Sequence, residues 1–149
     1  MPSHKSYLTA ISRKSLPVPT RWLERKGLIR GRVLDFGCGK CAPINPIDWD
    51  NYDPHHYPCV IVGGYDTIIC NYVLCTLPGK ERMGVLKEIQ FYLKSDGIAY
   101  ITVRNDRPKS GWGVSSKGTY QGRVRKLPLR QIHECSQFRV YILTPEDKL

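Results

Sequence analysis

The sequence predicts an α/β fold with an open, mostly parallel sheet, helices on its faces and an antiparallel hairpin at the C-terminal end. Three observations predict it. A short apolar run at 32–37 opens into a glycine-rich turn, as buried parallel strands do. A second apolar run at 65–70 is followed by a helical pattern and then by another strand pattern at 98–103. The rest of the chain alternates apolar and polar residues in two runs, which is typical of an antiparallel pair.

The N-terminal half contributes a short helix and three strands. The helix spans 19–27 and has Trp22 and Leu23 as its apolar contacts. Pro43 and Pro46 disfavour a long helix between the first two strands, because proline blocks the hydrogen bonding of a helix interior. The strands are predicted at 32–37, 50–53 and 59–62.

The clearest helix of the chain is predicted over 79–94, because Leu86, Ile89 and Leu93 fall on one face. Gly97 follows it at the position expected for a C-terminal cap. The two C-terminal runs are predicted to pair with each other, at 120–127 and 138–143.

Length and composition limit the class of protein. A chain of 149 residues is enough for one domain with a single core. Hydrophobic residues make up 41%, yet no apolar run approaches the length of a membrane span. Residues 1–20 are polar and basic, which argues against a signal peptide. Because the six cysteines are scattered singly, we expect reduced thiols, a cytoplasmic location and no membrane contact.

The turn after the first strand predicts a cofactor site. Gly37 and Gly39 let a ligand approach bare backbone, and the N–H groups of the turn can meet its polar end. Asp53 comes 18 residues after Asp35, at the expected end of the second strand, where a carboxylate can accept both hydroxyls of a ribose. The two features together predict an adenosine-containing cofactor.

The same turn also satisfies the Gly-x-Gly-x-x-Ala pattern of dinucleotide-binding proteins, with Ala42 in the last position. Asp35 argues against a dinucleotide, because its carboxylate would repel a pyrophosphate and attract an ammonium or sulfonium group. The missing helix argues the same way, because a helix N-terminus normally holds the pyrophosphate. S-adenosylmethionine is therefore the favoured cofactor. A glycine turn with no ligand is the alternative.

The positive charge is concentrated in two flanks. Residues 1–32 contain eight Lys or Arg and one acid, and residues 104–130 contain eight and one. Residues 33–103 contain five basic and eight acidic residues, within a chain of net charge +10. Such flanks favour a surface that meets phosphates, as in DNA or RNA, although solvated faces that keep the protein soluble are the alternative.

The segment 33–39 resembles motif I of class I S-adenosylmethionine-dependent methyltransferases. Residues 52–54 resemble their ribose-binding acid, and 65–74 resemble their motif IV strand and loop. The resemblance implies a seven-stranded Rossmann-like sheet and methyl transfer from the cofactor's sulfonium. It implies a basic N-terminal segment, 1–31, and a methyltransferase domain, 32–149. Short matches at 11–19, 53–54, 71–74 and 81–82 are similar to methyltransferases of phages and of DNA phosphorothioation gene neighbourhoods.

The resemblance also assigns roles to individual residues. Asp35 would face the ammonium group of the cofactor, and Asp53 would accept the ribose hydroxyls. Asn71 and Tyr72 would lie beside the transferable methyl, as candidates for holding and stacking the acceptor. Shaping the cofactor pocket without touching the acceptor is the alternative role for this pair. The cofactor-binding set is Asp35, Phe36, Gly37, Cys38, Gly39, Asp53, Pro54 and Asn71.

The candidate substrate-binding residues interleave cations with aromatic rings, a combination that can hold a nucleic-acid backbone while stacking bases. An ordinary connection to the last hairpin is the alternative reading of this stretch. The set is Arg104, Trp112, Lys117, Tyr120, Arg123 and Arg125.

No metal site is predicted, because Cys38 and Cys41 form a single Cys-x-x-Cys with no second pair. The favoured function is a methyltransferase acting on nucleic acid. A methyltransferase of a small molecule or of a protein side chain is the second interpretation, and a non-catalytic binding module with the cofactor fold is the third. The sequence does not predict the oligomeric state.

Overall fold

The structure is a computed structural model, which describes residues 14–106, 113–114, 120–121 and 124–149. The helices are α1 (Val18–Arg25) and α2 (Gly79–Tyr92), with a 3₁₀ helix at Leu74–Thr76 between them. None of the helices in these ranges has the length and apolarity needed to cross a bilayer. The strands are β1 (Val33–Phe36), β2 (Asp50–Tyr52), β3 (Tyr65–Asn71), β4 (Leu93–Arg104), β5 (Gly113–Val114), β6 (Tyr120–Gln121), β7 (Arg130–Glu134) and β8 (Phe138–Leu143).

Six of these strands form one sheet in the order β2-β1-β3-β4-β8-β7. The first four strands are parallel, with Leu34 beside Ile68 and Ile69 beside Tyr100. β8 then runs antiparallel to both β4 and β7, whereas β5 and β6 form a separate two-stranded sheet. The expected mostly parallel sheet with a C-terminal antiparallel hairpin is confirmed, with six strands in the described sheet instead of seven.

Alternating side chains of the central strand β3 are buried on opposite faces of the sheet. Ile68 belongs to the cluster that packs under α2, together with Leu86 and Ile89. Ile69 points to the opposite face, where Leu23 of α1 covers it. Successive residues of a strand face opposite sides, so one β-branched apolar run serves both layers.

The strand predicted at 59–62 is wrong. The chain there has no strand, and Val60 and Val62 are 89% and 83% exposed. Pro58 lacks a donor for a strand ladder, while Gly63 and Gly64 both have positive φ and turn the chain into β3. In the described part of the sheet β2 is therefore the edge strand.

The second helix ends earlier than predicted, and Gly97 does not cap it. α2 ends at Tyr92, and β4 begins directly at Leu93. Gly97 lies within β4, where a Cβ would stand 2.6 Å from the carbonyl oxygen of Tyr65. The register between β3 and β4 is irregular at this point, so the glycine permits a close approach of two backbones.

The partner of the last strand also differs from the prediction. Residues 124–129 form no strand, and Pro128 within them has no N–H to donate. β8 instead pairs with β7 through a tight turn, in which the Cys135 N–H donates to the Phe138 carbonyl at 2.9 Å. Among the described residues of the run at 120–127, Tyr120–Gln121 form β6, which pairs with β5.

Candidate cofactor-binding site

The candidate site lies at the carboxyl ends of β1, β2 and β3. From β1 the chain passes to β2 on one side of the sheet, and β3 then pairs with β1 on the other side. Open α/β sheets bind ligands beyond the carboxyl ends of their strands at such a reversal of strand order. The glycine turn, Asp53 and the end of β3 are thereby brought to one edge of the sheet.

The glycine turn is fastened to β2 and to the segment after β3. Gly37 and Gly39 have φ of 79° and 55°, so both occupy the left-handed region that favours glycine. The N–H groups of Gly37 and Cys38 donate to the Tyr52 carbonyl at 2.7 and 2.9 Å. These two N–H groups of the turn are therefore hydrogen-bonded within the protein. Val73 occupies the space that a side chain at position 37 would need, because its Cγ2 would lie 2.4 Å from a Cβ there.

Asp35 is a buried carboxyl group held by an asparagine. Its Oδ2 accepts a hydrogen bond from Asn45 Nδ2 at 2.7 Å, and the same amide nitrogen also donates to Asn51 Oδ1 at 2.6 Å. Burial raises the pKa of Asp35 to about 6; the Asn45 hydrogen bond opposes this, and the nearby Asp53 adds to it. Asn45 Oδ1 is also buried and has no partner among the described residues. The group is thus a buried carboxyl that pairs with no cation among the described residues.

The pKa of Asp35 should make the protein less stable as the pH rises from about 4 to about 6. The folded state holds the Asp35 proton up to about pH 6, whereas the unfolded state releases it near 3.8. The unfolded chain therefore binds fewer protons in this window, and the free energy of unfolding falls by up to about 3 kcal/mol. Denaturant unfolding at pH 4, 5, 6 and 7 measures it. Asp35→Asn should flatten the Asp35 contribution, and an unchanged pH profile in this variant would contradict the assignment.

Asp53 organises the turn that follows β2. Its Oδ1 accepts the N–H groups of His55 and His56 at 2.9 and 2.8 Å, and its Oδ2 accepts the Gly39 N–H at 3.1 Å. The carboxylate is buried, and the backbone of Asp53 pairs with Tyr57 in both directions. One side chain therefore ties the glycine turn after β1 to the turn after β2.

A surface cavity of about 400 Å³ lies beside these two turns. Gly39 and Lys40 border it on one side, and His56 and Tyr57 on the other. Ala42 and Pro43 complete the lining, which is mostly apolar, with a cation and an imidazole at its edge. The volume and the mixed lining suit a small organic molecule with a flat ring.

Asn71 and Tyr72 lie at the end of β3, as the sequence predicts. Asn71 Nδ2 donates to Thr20 Oγ1 of α1 at 2.8 Å, and Asn71 Oδ1 is buried with no partner in the described part of the chain. Tyr72 has a φ of 61°, and its N–H donates to the Thr102 carbonyl of β4 at 2.9 Å. The guanidinium of Arg104 lies 5.7 Å from the centre of the Tyr72 ring.

The remaining predicted residues are placed less directly. Phe36 is fully buried and packs its ring against Tyr52 at 5.3 Å, so its side chain belongs to the core. Pro54 is exposed in the turn after β2. Arg104 pairs with Asp106 at 2.8 Å, and Arg125 is exposed. Of the other predicted substrate residues, Tyr120 lies in β6. Trp112, Lys117 and Arg123 lie outside the described residues.

Sequence reasoning missed three residues that build this site. Asn45 holds Asp35, Thr20 holds Asn71, and Val73 fills the space that Gly37 leaves. Asn45 stands between two prolines in the loop after the glycine turn, a composition that marks a turn but does not indicate that its amide reaches Asp35. Thr20 carries no such signal, because its partner is 51 residues away.

The cysteines of the turn are structural. Cys38 and Cys41 are both buried, and burial together with the Asp35 charge raises the pKa of the Cys38 thiol well above its usual value of 9.0. The described ranges contain no group of three His, Cys, Asp or Glu side chains arranged to hold a metal ion.

No protein-family model and no curated protein sequence matches the chain. Several solved structures are similar. The DhpI–SAH complex is 10% identical over 80% of each chain, with a TM-score of 0.56. The glycopeptide N-methyltransferase MtfA in complex with (S)-adenosyl-L-methionine is 14% identical over 82% of this chain and 74% of its own, with a TM-score of 0.43. PKMT2 from Rickettsia typhi in complex with AdoHcy is 18% identical over 50% and 21%, with a TM-score of 0.36.

At these identities the likeness concerns the fold, and the strand order agrees with it. A parallel β2-β1-β3-β4 sheet is closed by an antiparallel β8-β7 hairpin, with a helix covering each face. The chain has the fold of the class I S-adenosylmethionine-dependent methyltransferases.

Proposed function

We propose that the chain is an S-adenosylmethionine-dependent methyltransferase that binds its cofactor at the edge formed by β1, β2 and β3. The observation that carries the proposal is the Asp35 carboxyl group, which is buried beside a glycine turn at the reversal of strand order and has no cation near it in the described part of the chain. A buried carboxylate without a cation destabilises the folded state, and a positively charged ligand would offset this cost.

The residues present fit this cofactor. Its ammonium group can be met by the Asp35 carboxylate and by Asn45 Oδ1, the buried acceptor on the same amide that holds Asp35. Asp53 Oδ2 accepts one hydrogen bond in the structure, so it keeps a lone pair for a ribose hydroxyl. The cavity beside Gly39 and His56 suits the flat adenine ring.

The bound cofactor would supply an electrophilic methyl group on a sulfonium. Methyl transfer from it asks the protein mainly to align the acceptor with the methyl and to exclude water. Asn71 is suited to alignment, because Thr20 holds its amide nitrogen while its buried Oδ1, which has no partner in the described part of the chain, could accept a hydrogen bond from an amine or hydroxyl that displaces its neighbours. Tyr72, held by Thr102, offers a ring against which a flat acceptor can stack.

The acceptor class that the charge distribution favours is nucleic acid. The positive charge of +10 is carried by flanks around a slightly acidic middle segment, and phosphodiester backbones are the polyanions that such flanks attract. The phage and phosphorothioation resemblance points in the same direction. We therefore propose DNA or RNA as the methyl acceptor and the cytoplasm as the location. We also retain residues 1–31 as a basic segment preceding the methyltransferase domain.

Cofactor affinity should rise about tenfold between pH 5 and pH 7. With a pKa of about 6, the Asp35 carboxylate is mostly protonated at pH 5 and mostly ionised at pH 7, and only the ionised form attracts the ammonium group. Titration calorimetry with S-adenosylmethionine at pH 5, 6 and 7 measures the change. Asp35→Asn should remove the pH dependence and weaken binding at pH 7, whereas the exposed Asp48→Asn should do neither.

The reaction is tested by incubation with a donor labelled on its methyl group and a panel of DNA, RNA, protein extract and metabolites. Label in DNA or RNA, lost as salt is raised, supports the proposal. Label confined to protein or to small molecules would overturn the nucleic-acid acceptor but not the methyltransferase. If calorimetry detects S-adenosylmethionine binding but no acceptor becomes labelled, the result would favour a non-catalytic binding module.

A further inference from the structure

The outward face of α1 carries two arginines that have no partner among the described residues. Arg21 and Arg25 are one helical turn apart, on the side of the helix opposite the buried Leu23, and both are exposed. Neither forms an ion pair or a side-chain hydrogen bond with any of the described residues. Residues 1–17 and 107–123 contain no Asp or Glu, so these segments bring no carboxylate to neutralise them.

Four other cations of the described chain are neutralised by carboxylates. At the amino end of the sheet, Arg30 and Lys94 both pair with Asp66, at 3.5 and 3.3 Å, and Arg32 pairs with Asp50 at 3.2 Å. At the carboxyl end, Arg104 pairs with Asp106. The field of the α1 arginines is not cancelled in this way, because Glu24 is the sole acid of the helix.

α1 is also the helix that covers the candidate reaction site. Thr20 accepts the hydrogen bond from Asn71 at the end of β3, and Leu23 is buried in the core beneath. Two residues after Thr20, Trp22 stacks on His133 of β7, with ring centres 4.3 Å apart. Arg21 directly follows Thr20 in the chain, so the arginine face begins next to the contact between α1 and the end of β3.

We propose that α1 is the docking helix for the nucleic-acid acceptor, with Arg21 and Arg25 contacting two phosphates of its backbone. Arginine binds phosphate oxygens in a bidentate manner, and phosphates held at helical spacing fix the register of a strand without reading its sequence. Contacts above Asn71 would place an unstacked base next to the end of β3. The identity of the reaction rests on the proposed function, but the binding surface does not require it.

The test compares two variants that lose the same charge. Arg21→Gln/Arg25→Gln removes the α1 pair, and Lys80→Gln/Lys87→Gln removes two exposed lysines of α2 on the other face of the sheet. Binding of a fluorescent 20-nucleotide single strand and of the matching duplex is measured between 50 and 200 mM salt, each as DNA and as RNA. The α1 variant should lower the slope of log K against log salt by about 1.8 on duplex DNA and about 1.4 on single strands. The α2 variant should keep the slope of the unchanged protein.

Three results would overturn the proposal: no binding of any nucleic acid, an equal loss in both variants, or polyglutamate binding with the same dependence on Arg21 and Arg25. Calorimetry with S-adenosylmethionine on the same proteins keeps the two proposals distinguishable. If S-adenosylmethionine binds normally and the α1 variant keeps the slope of the unchanged protein, only the docking-helix proposal is wrong. If the α1 variant has a reduced slope but calorimetry detects no S-adenosylmethionine binding, only the methyltransferase proposal is wrong. Melting curves of both variants should coincide with that of the unchanged protein, since exposed charges contribute little to stability.

Discussion

Gly37→Ala should destabilise the protein by about 3 kcal/mol and weaken S-adenosylmethionine binding. An L-residue at a φ of 79° costs about 1–2 kcal/mol, and the new Cβ would meet Val73 Cγ2 at 2.4 Å, which adds a packing cost of about 1–3 kcal/mol. Val73 has to move away, and it lies in the segment that directly follows Asn71 and Tyr72. Urea unfolding and cofactor calorimetry measure the two effects.

Gly27→Ala is the matched control. Gly27 has a φ of 67°, but a Cβ there meets nothing within 4 Å, so its cost should be about 1–2 kcal/mol with unchanged cofactor affinity. Combining Gly37→Ala with Val73→Ala should recover part of the loss, because the second change removes the methyl that collides. Equal costs for the two glycine variants, or strictly additive costs in the double variant, would contradict the close contact.

Asp53→Ala should lower the melting temperature by about 10 °C and abolish measurable cofactor binding. Three backbone N–H groups, those of Gly39, His55 and His56, lose a charged acceptor, with an expected net cost of about 3 kcal/mol after water replaces part of it. The two turns that border the cavity are then no longer tied together. Thermal melting and calorimetry are the measurements.

Asp48→Ala is the control for this change, because Asp48 is an exposed carboxylate in the loop before β2. It should stay within about 0.5 kcal/mol of the unchanged protein. Asp53→Asn should lie between the two, since it keeps one acceptor oxygen and turns an NH₂ group toward one of the donors. An Asp53→Ala protein with unaltered melting would mean that the carboxylate does not organise these turns.

The parts of the site that the sequence predicts are those that leave a local mark. Gly37 and Gly39 are recognisable because a left-handed backbone favours glycine, and Asp35 and Asp53 because strand ends fix where a carboxylate stands. The contacts between Asn45 and Asp35 and between Thr20 and Asn71 are set by how distant segments pack, which local patterns do not encode.

The errors in the predicted fold also arise because local patterns do not encode tertiary packing. Residues 59–62 have the β-branched apolar composition of a strand, but Pro58 and the Gly63–Gly64 turn leave them without a strand neighbour. β7 begins and ends with a charged residue, Arg130 and Glu134, and its pattern is hidden by exposure on both faces. In both cases the sheet position, which is a tertiary property, overrides the local composition.

The backbone at Tyr72 couples two neighbouring strands. Tyr72 is held in a left-handed conformation that is uncommon for residues other than glycine, and its amide is anchored to Thr102 on β4. Two residues further along β4, Arg104 faces that same ring. A ligand that shifts the end of β4 would therefore also shift the Tyr72 ring.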